Sequence, residues 1–108
     1  NDLIVGRILL PVEGSGKVKP GQRVILKLDS YPYHEFGTLK GLVISKSLVP
    51  KDNQYSILVS VPTTENNNLK TSYGKEIVFE QQLQGKAEIV TDEKGLIDRI
   101  TDQIFLKR

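Results

Sequence analysis

His34 and Glu35 stand side by side after Tyr33, with Asp29 and Ser30 just upstream, and together they form a local cluster of acid–base groups. A histidine next to a carboxylate can do general acid–base chemistry if both side chains converge on one reacting atom. Successive side chains of an extended segment point to opposite faces, so this spacing predicts divergence and not a dyad. The cluster reads instead as a surface bend, with Tyr31, Tyr33 and Phe36, three of the seven aromatic residues, packed on a barrel. Glu13-Gly14-Ser15-Gly16-Lys17 has the composition of a phosphate loop. Such a loop must open a helix so that backbone amides and the helix dipole face the anion, whereas residues 23–28 alternate as a strand. The chain has no cysteine, which excludes disulfides, thiol catalysis and thiolate metal sites, and its single histidine, His34, argues against a His-based metal centre. We therefore expect no catalytic residues, no cofactor and no metal, and no hydrolase, for want of a nucleophile–base pair.

The elements that carry these residues are read from turn chemistry and periodicity. In Lys19-Pro20-Gly21-Gln22, Pro20 fixes the first corner of a turn and Gly21 accepts the positive φ of the next, reversing the chain before Arg23. Lys17, Lys19 and Arg23 give this turn a basic bias that reads as solvated side chains. Residues 4–10 form an apolar run closed by Pro11, suited to a strand near a sheet edge. Val24, Leu26 and Leu28 alternate with Arg23, Ile25 and Lys27, which predicts a half-buried strand. Pro32 makes residues 30–36 a connection or strand bend. A strand over 38–45 follows, in which Gly37 and Gly41 permit the curvature that barrel closure needs. Residues 51–53 are a polar turn, and 54–61 alternate as the clearest strand of the chain. Residues 62–72, with Asn66-Asn67-Asn68, are expected to be a long mobile polar loop. Short strands over 76–79 and 84–91 follow.

Leu96, Ile97, Ile100 and Ile104 recur at helical spacing, which predicts a short amphipathic helix at the end of the chain, capped by Asp92 and finished by Lys107 and Arg108. Gly95 weakens its first turn, and the alternative is a hairpin turning at Glu93-Lys94-Gly95. Short strands separated by turn signals, with helix only at the end, define the expected fold class: all-β, a small antiparallel β-barrel with a short C-terminal α-helix. Residues 1–108 form a single β-barrel domain, with 91–108 as its helical tail. The chain starts at Asn1 and has no methionine, so it is expected to be a fragment of a longer polypeptide whose targeting signal lies elsewhere. At 38% hydrophobic and 26% charged residues the composition is that of a globular protein. No apolar run approaches the roughly 20 residues of a membrane span.

Several segments occur in a set order: Val18-Lys19-Pro20-Gly21-Gln22-Arg23-Val24, Lys27-Leu28-Asp29-Ser30-Tyr31-Pro32, residues 35–43, Tyr73-Gly74-Lys75, and Gly85-Lys86-Ala87-Glu88-Ile89-Val90-Thr91. This order resembles the membrane-proximal β-barrel part of haemolysin-secretion-type membrane fusion proteins. Where that family often has Gly-Met ahead of the last strand, this chain has Gln82-Leu83, so the turn there is shaped differently. The resemblance implies a non-catalytic periplasmic adaptor of Gram-negative bacteria. It would be anchored to the inner membrane by a segment absent from this fragment, and it would link an inner-membrane transporter to an outer-membrane channel in secretion or efflux. It further implies a homo-oligomeric ring in the full-length protein. The partner-facing candidates are Tyr33, His34 and Phe36, the 63–70 loop, and Leu96, Ile100 and Ile104 of the terminal helix. The alternative is an SH3-like or oligonucleotide-binding barrel that stacks bases on exposed aromatics. A net charge of only +2, with lysines interleaved among acids, argues against a nucleic-acid partner.

Overall fold

The computed structural model describes residues 4–79, 82–91 and 99–107. The strands are β1 (Ile4–Pro11), β2 (Arg23–Leu28), β3 (Leu39–Lys46), β4 (Gln54–Val61), β5 (Leu69–Lys70), β6 (Glu76–Ile77), β7 (Gln82–Val90) and β8 (Arg99–Lys107), and one helical turn, α1 (Tyr33–Phe36), lies between β2 and β3. Six of the strands close into a barrel in the order β1-β4-β3-β2-β7-β8, and β5 and β6 pair apart from it. Every pairing in the barrel is antiparallel.

Alternation places the side chains as the sequence predicts. Val24, Leu26 and Leu28 of β2, and Ile57, Val59 and Val61 of β4, are buried inside the barrel. They meet Ile4, Ile8, Leu39, Val43, Ala87, Ile89, Ile104 and Leu106 in one continuous core. The barrel is therefore filled, with a stopper at each end: Val18 belongs to the core at one rim, and Leu69, Ile77 and Phe79 at the other. The Pro20-Gly21 turn forms as expected, with Gly21 at φ 93° and its N–H donating to the Val43 carbonyl at 2.8 Å. Lys17, Lys19 and Arg23 are exposed there. Ser15, in the glycine-rich loop, is buried; its hydroxyl donates to the Val12 carbonyl at 2.8 Å, so it serves the loop itself.

The structure corrects four expectations. Among the described residues there is no terminal helix: residues 99–107 are the strand β8, which pairs with β7 from Gln82↔Lys107 to Val90↔Arg99 and with β1 from Val5↔Lys107 to Ile8↔Ile104. The arrangement is that of the hairpin alternative; the proposed turn at residues 93–95, and Leu96, lie outside the described residues. Ile100, Ile104 and Leu106 share one parity of a strand, and that short period outweighs the helical spacing because β8 supplies the partner that closes the barrel. Second, β1 is paired on both sides and is not an edge; only its Leu9–Pro11 stretch runs past β8, which leaves room for a residue without an N–H. Third, the 62–72 loop contains β5, with Leu69 and Thr71 buried. Fourth, β3 carries a register shift between Val43 and Ser45, so local bending there comes from an extra residue at Ile44 as well as from glycine. Val5 lies opposite Lys107, so the chain enters the barrel and leaves it side by side on one rim.

Candidate interaction site at the aromatic corner

Pro32 starts the corner. Its carbonyl accepts from the N–H groups of Glu35 at 3.0 Å and Phe36 at 2.9 Å, and the Gly37 N–H closes the turn onto the Tyr33 carbonyl at 2.9 Å. Residues 30–36 are a connection as the sequence predicts, and within it Tyr33–Phe36 form one helical turn entered from Pro32, whose φ of −53° suits the start of a helix. Gly37 lies at φ 98°, and a Cβ there would sit 2.7 Å from Ser72 Oγ and 3.0 Å from the Tyr73 backbone nitrogen. Both backbone conformation and space therefore demand glycine.

The other half of the site is the β5–β6 turn. Thr38 donates its N–H to Ser72 Oγ at 3.0 Å, and the Ser72 N–H donates to the Thr38 carbonyl at 2.8 Å. Lys75 Nζ donates to the Glu35 carbonyl at 3.1 Å and lies 5.0 Å from the Phe36 ring centroid. Lys27 Nζ sits 4.6 Å from the Tyr33 ring centroid and 2.7 Å from Glu88 Oε1. Tyr31 and Phe36 meet edge to face at 5.2 Å, and Tyr33 and His34 are 4.0 Å apart. The corner is thus a set of rings fixed by cations of β2 and of the β5–β6 turn. Tyr33 and His34 are exposed, Phe36 is half-buried, and Tyr73 is 61% exposed on the neighbouring turn.

Below this turn, Glu76 organises the preceding loop. One oxygen, Oε2, accepts from Asn68 Nδ2 at 2.8 Å and from Thr64 Oγ1 at 3.2 Å. The Asn68 bond foremost, aided by Thr64, Asn66 and the charge of Lys70, holds its carboxyl below the usual carboxylate range, against a smaller desolvation in the opposite sense. Thr64 Oγ1 in turn accepts the N–H groups of Asn66 and Asn68. The polar loop is therefore cross-braced.

Of the sequence-predicted residues, the structure brings Tyr33, His34 and Phe36 together. Ile104 is fully buried between Ile8 and Gly85 of the neighbouring strands, so it faces the core, which corrects its placement on a partner-facing helix. Ile100 lies on β8 opposite Ile89. No hydrogen bond joins His34 to Glu35 among the described residues. Sequence reasoning missed Ser72, Lys75 and Glu76. The Thr64-to-Asn68 spacing is a turn signal that points to the loop bracing, whereas no local pattern links residue 38 to residue 72.

What these observations define is a small, filled, closed antiparallel barrel with a braced aromatic corner on one rim. Over 99 residues, 90% of this chain, it is 27% identical to leukotoxin secretion protein D of Mannheimia haemolytica. The match covers 21% of that protein, so the chain spans about a fifth of the relative's length. No family model matches the chain, and no solved structure matches it. Among the described residues no helix is long and apolar enough to cross a membrane.

Proposed function

We propose that this chain is the β-barrel part of a secretion adaptor of the haemolysin-secretion type, a non-catalytic spacer between larger pieces of an export apparatus. The observation that carries the reading is the similarity to leukotoxin secretion protein D across 90% of the chain, on a sequence whose segments independently resemble that family. The filled interior supports a structural role, because a core of packed aliphatic side chains leaves no conduit for cargo. In the complete polypeptide the barrel stands in the periplasm of a Gram-negative cell, on a protein anchored in the inner membrane. There it joins neighbouring copies in a ring between a transporter and an outer-membrane channel. Tyr33, His34, Phe36 and Tyr73 are its contact residues.

The nucleic-acid alternative is not favoured. Bases stack on open aromatic faces, and here Lys27 and Lys75 lie over the rings of Tyr33 and Phe36.

The test is site-specific photocrosslinking in the complete polypeptide, in its own cells, with the crosslinker at Tyr33 or Tyr73 and a control at Glu13 on the opposite rim. The expected result is crosslinks from residues 33 and 73 to a second copy of the polypeptide and to an inner-membrane transporter. Crosslinks to neither, together with salt-dependent binding of a labelled oligonucleotide by the purified 108-residue chain, overturn the proposal.

A further inference from the structure

Away from the aromatic corner, the outer surface of β2, β3 and β4 carries a groove of about 440 Å³, within the range of roughly 300–1,000 Å³ typical of small-molecule sites. Ile25, Leu42, Pro62 and Val90 supply its apolar surface, and Arg23 and Lys40 line it as well. Leu42 is 50% exposed although it sits on a well-paired central strand, where a polar residue is the usual outward choice.

The register explains the arrangement. Arg23 pairs with Leu42, and Ile25 pairs with Lys40. The two cations therefore occupy one diagonal of a four-residue square and the two aliphatic residues the other. Diagonal neighbours on paired strands lie about 7–8 Å apart, within reach of long side chains, so the two cationic heads can meet one anion. No carboxylate is among the described residues lining the groove, and neither Arg23 nor Lys40 makes an ion pair with a described carboxylate. The groove is thus complementary to a negative charge attached to an apolar body.

The closed barrel narrows the choice further. An extended peptide gains much of its affinity by adding a strand to a free sheet edge. Here β2, β3 and β4 each have barrel neighbours on both sides, so that mode is blocked at the groove. An acyl chain needs no main-chain hydrogen bonds. We infer that this groove binds a single-chain fatty carboxylate, with the carboxylate between Arg23 and Lys40 and the acyl chain running from there over Leu42 and Pro62. The site lies outside the residues assigned to contacts with the secretion apparatus, and it stands or falls independently of that assignment.

The experiment is displacement of the fluorescent fatty acid cis-parinarate from the 108-residue chain by octanoate, decanoate and decanol, each below its micellar concentration. Saturable parinarate binding is expected. Decanoate should compete about fourfold better than octanoate, half of the full-burial increment for two methylenes in a half-open groove. Arg23→Gln and Lys40→Gln each weaken decanoate about fivefold and leave decanol unchanged, as removal of one charge-assisted contact requires. Both positions are exposed, so these variants keep the fold, which circular dichroism verifies. Absence of saturable parinarate binding overturns the inference. So does decanol competing as well as decanoate, decanoate affinity insensitive to both substitutions, or displacement of parinarate by an acidic apolar peptide but not by decanoate.

Discussion

Substituting Gly85 by alanine probes the closest backbone approach in the barrel wall. An alanine Cβ at this position would clash with the Lys27 carbonyl oxygen and lie 3.0 Å from Leu28 Cα. Both belong to the backbone of β2, where Leu28 is the residue opposite Gly85 in the ladder, so no change of rotamer relieves the contact. Normal van der Waals separation is about 3.5 Å, and β7 must therefore move from β2 by roughly 1 Å. Overpacking of this kind costs about 1–3 kcal/mol, and loss of one ladder hydrogen bond adds about 1 kcal/mol. Restricting the unfolded chain returns about 0.4–1 kcal/mol. The net loss is about 2 kcal/mol, a large part of the roughly 5–15 kcal/mol that holds a domain of this size together. With a urea dependence of about 1–3 kcal/mol/M, the unfolding midpoint falls by roughly 0.7–2 M. Tyrosine fluorescence reads the transition without interference, since the chain has four tyrosines and no tryptophan. Gly16→Ala is the control: nothing lies within 4 Å of a Cβ there, and its midpoint should stay within the change of about 0.5 kcal/mol usual for surface positions. Equal midpoints for the two variants would refute the packing argument.

Ile104→Asp places a carboxylate in the filled interior and should leave the chain without a cooperative thermal transition; a variant that melts as the parent does would restore the terminal helix. The carboxyl of Glu76 is lowered in the folded state, so its contribution to stability is present above the ordinary carboxylate range and disappears as pH falls through the lowered value. In NMR spectra the Asn68 side-chain amide should titrate below the usual carboxylate midpoint, and this titration should vanish in Glu76→Gln; a midpoint at the ordinary value contradicts the bracing geometry.

Much of the barrel wall was legible in the sequence. Alternation at Val24, Leu26 and Leu28 and at Ile57, Val59 and Val61 reports which face is buried, because a half-buried strand has a period of two. The terminal segment is ambiguous because Ile97, Ile100 and Ile104 fit the spacing of a helix, whereas Ile100 and Ile104 with Leu106 fit the period of a strand. Only the long-range pairing with β1 and β7 separates the two. The extra residue at Ile44 and the pairing of Leu69 with Ile77 also depend on register, which no local pattern encodes. At the aromatic corner, Tyr33, His34 and Phe36 were visible as a cluster. Their partners Lys27, Ser72 and Lys75 come from other elements, so the corner's rigidity was not visible.

The neighbouring positions of Val5 and Lys107 also set how the domain answers tension. Force applied through the two ends acts across the β1–β8 ladder at its terminal rung and opens it one rung after another, as a zipper opens. A ladder loaded along its length would resist with all its bonds at once. Pulled in this way the barrel yields at low force, first along the seam that β8 completes.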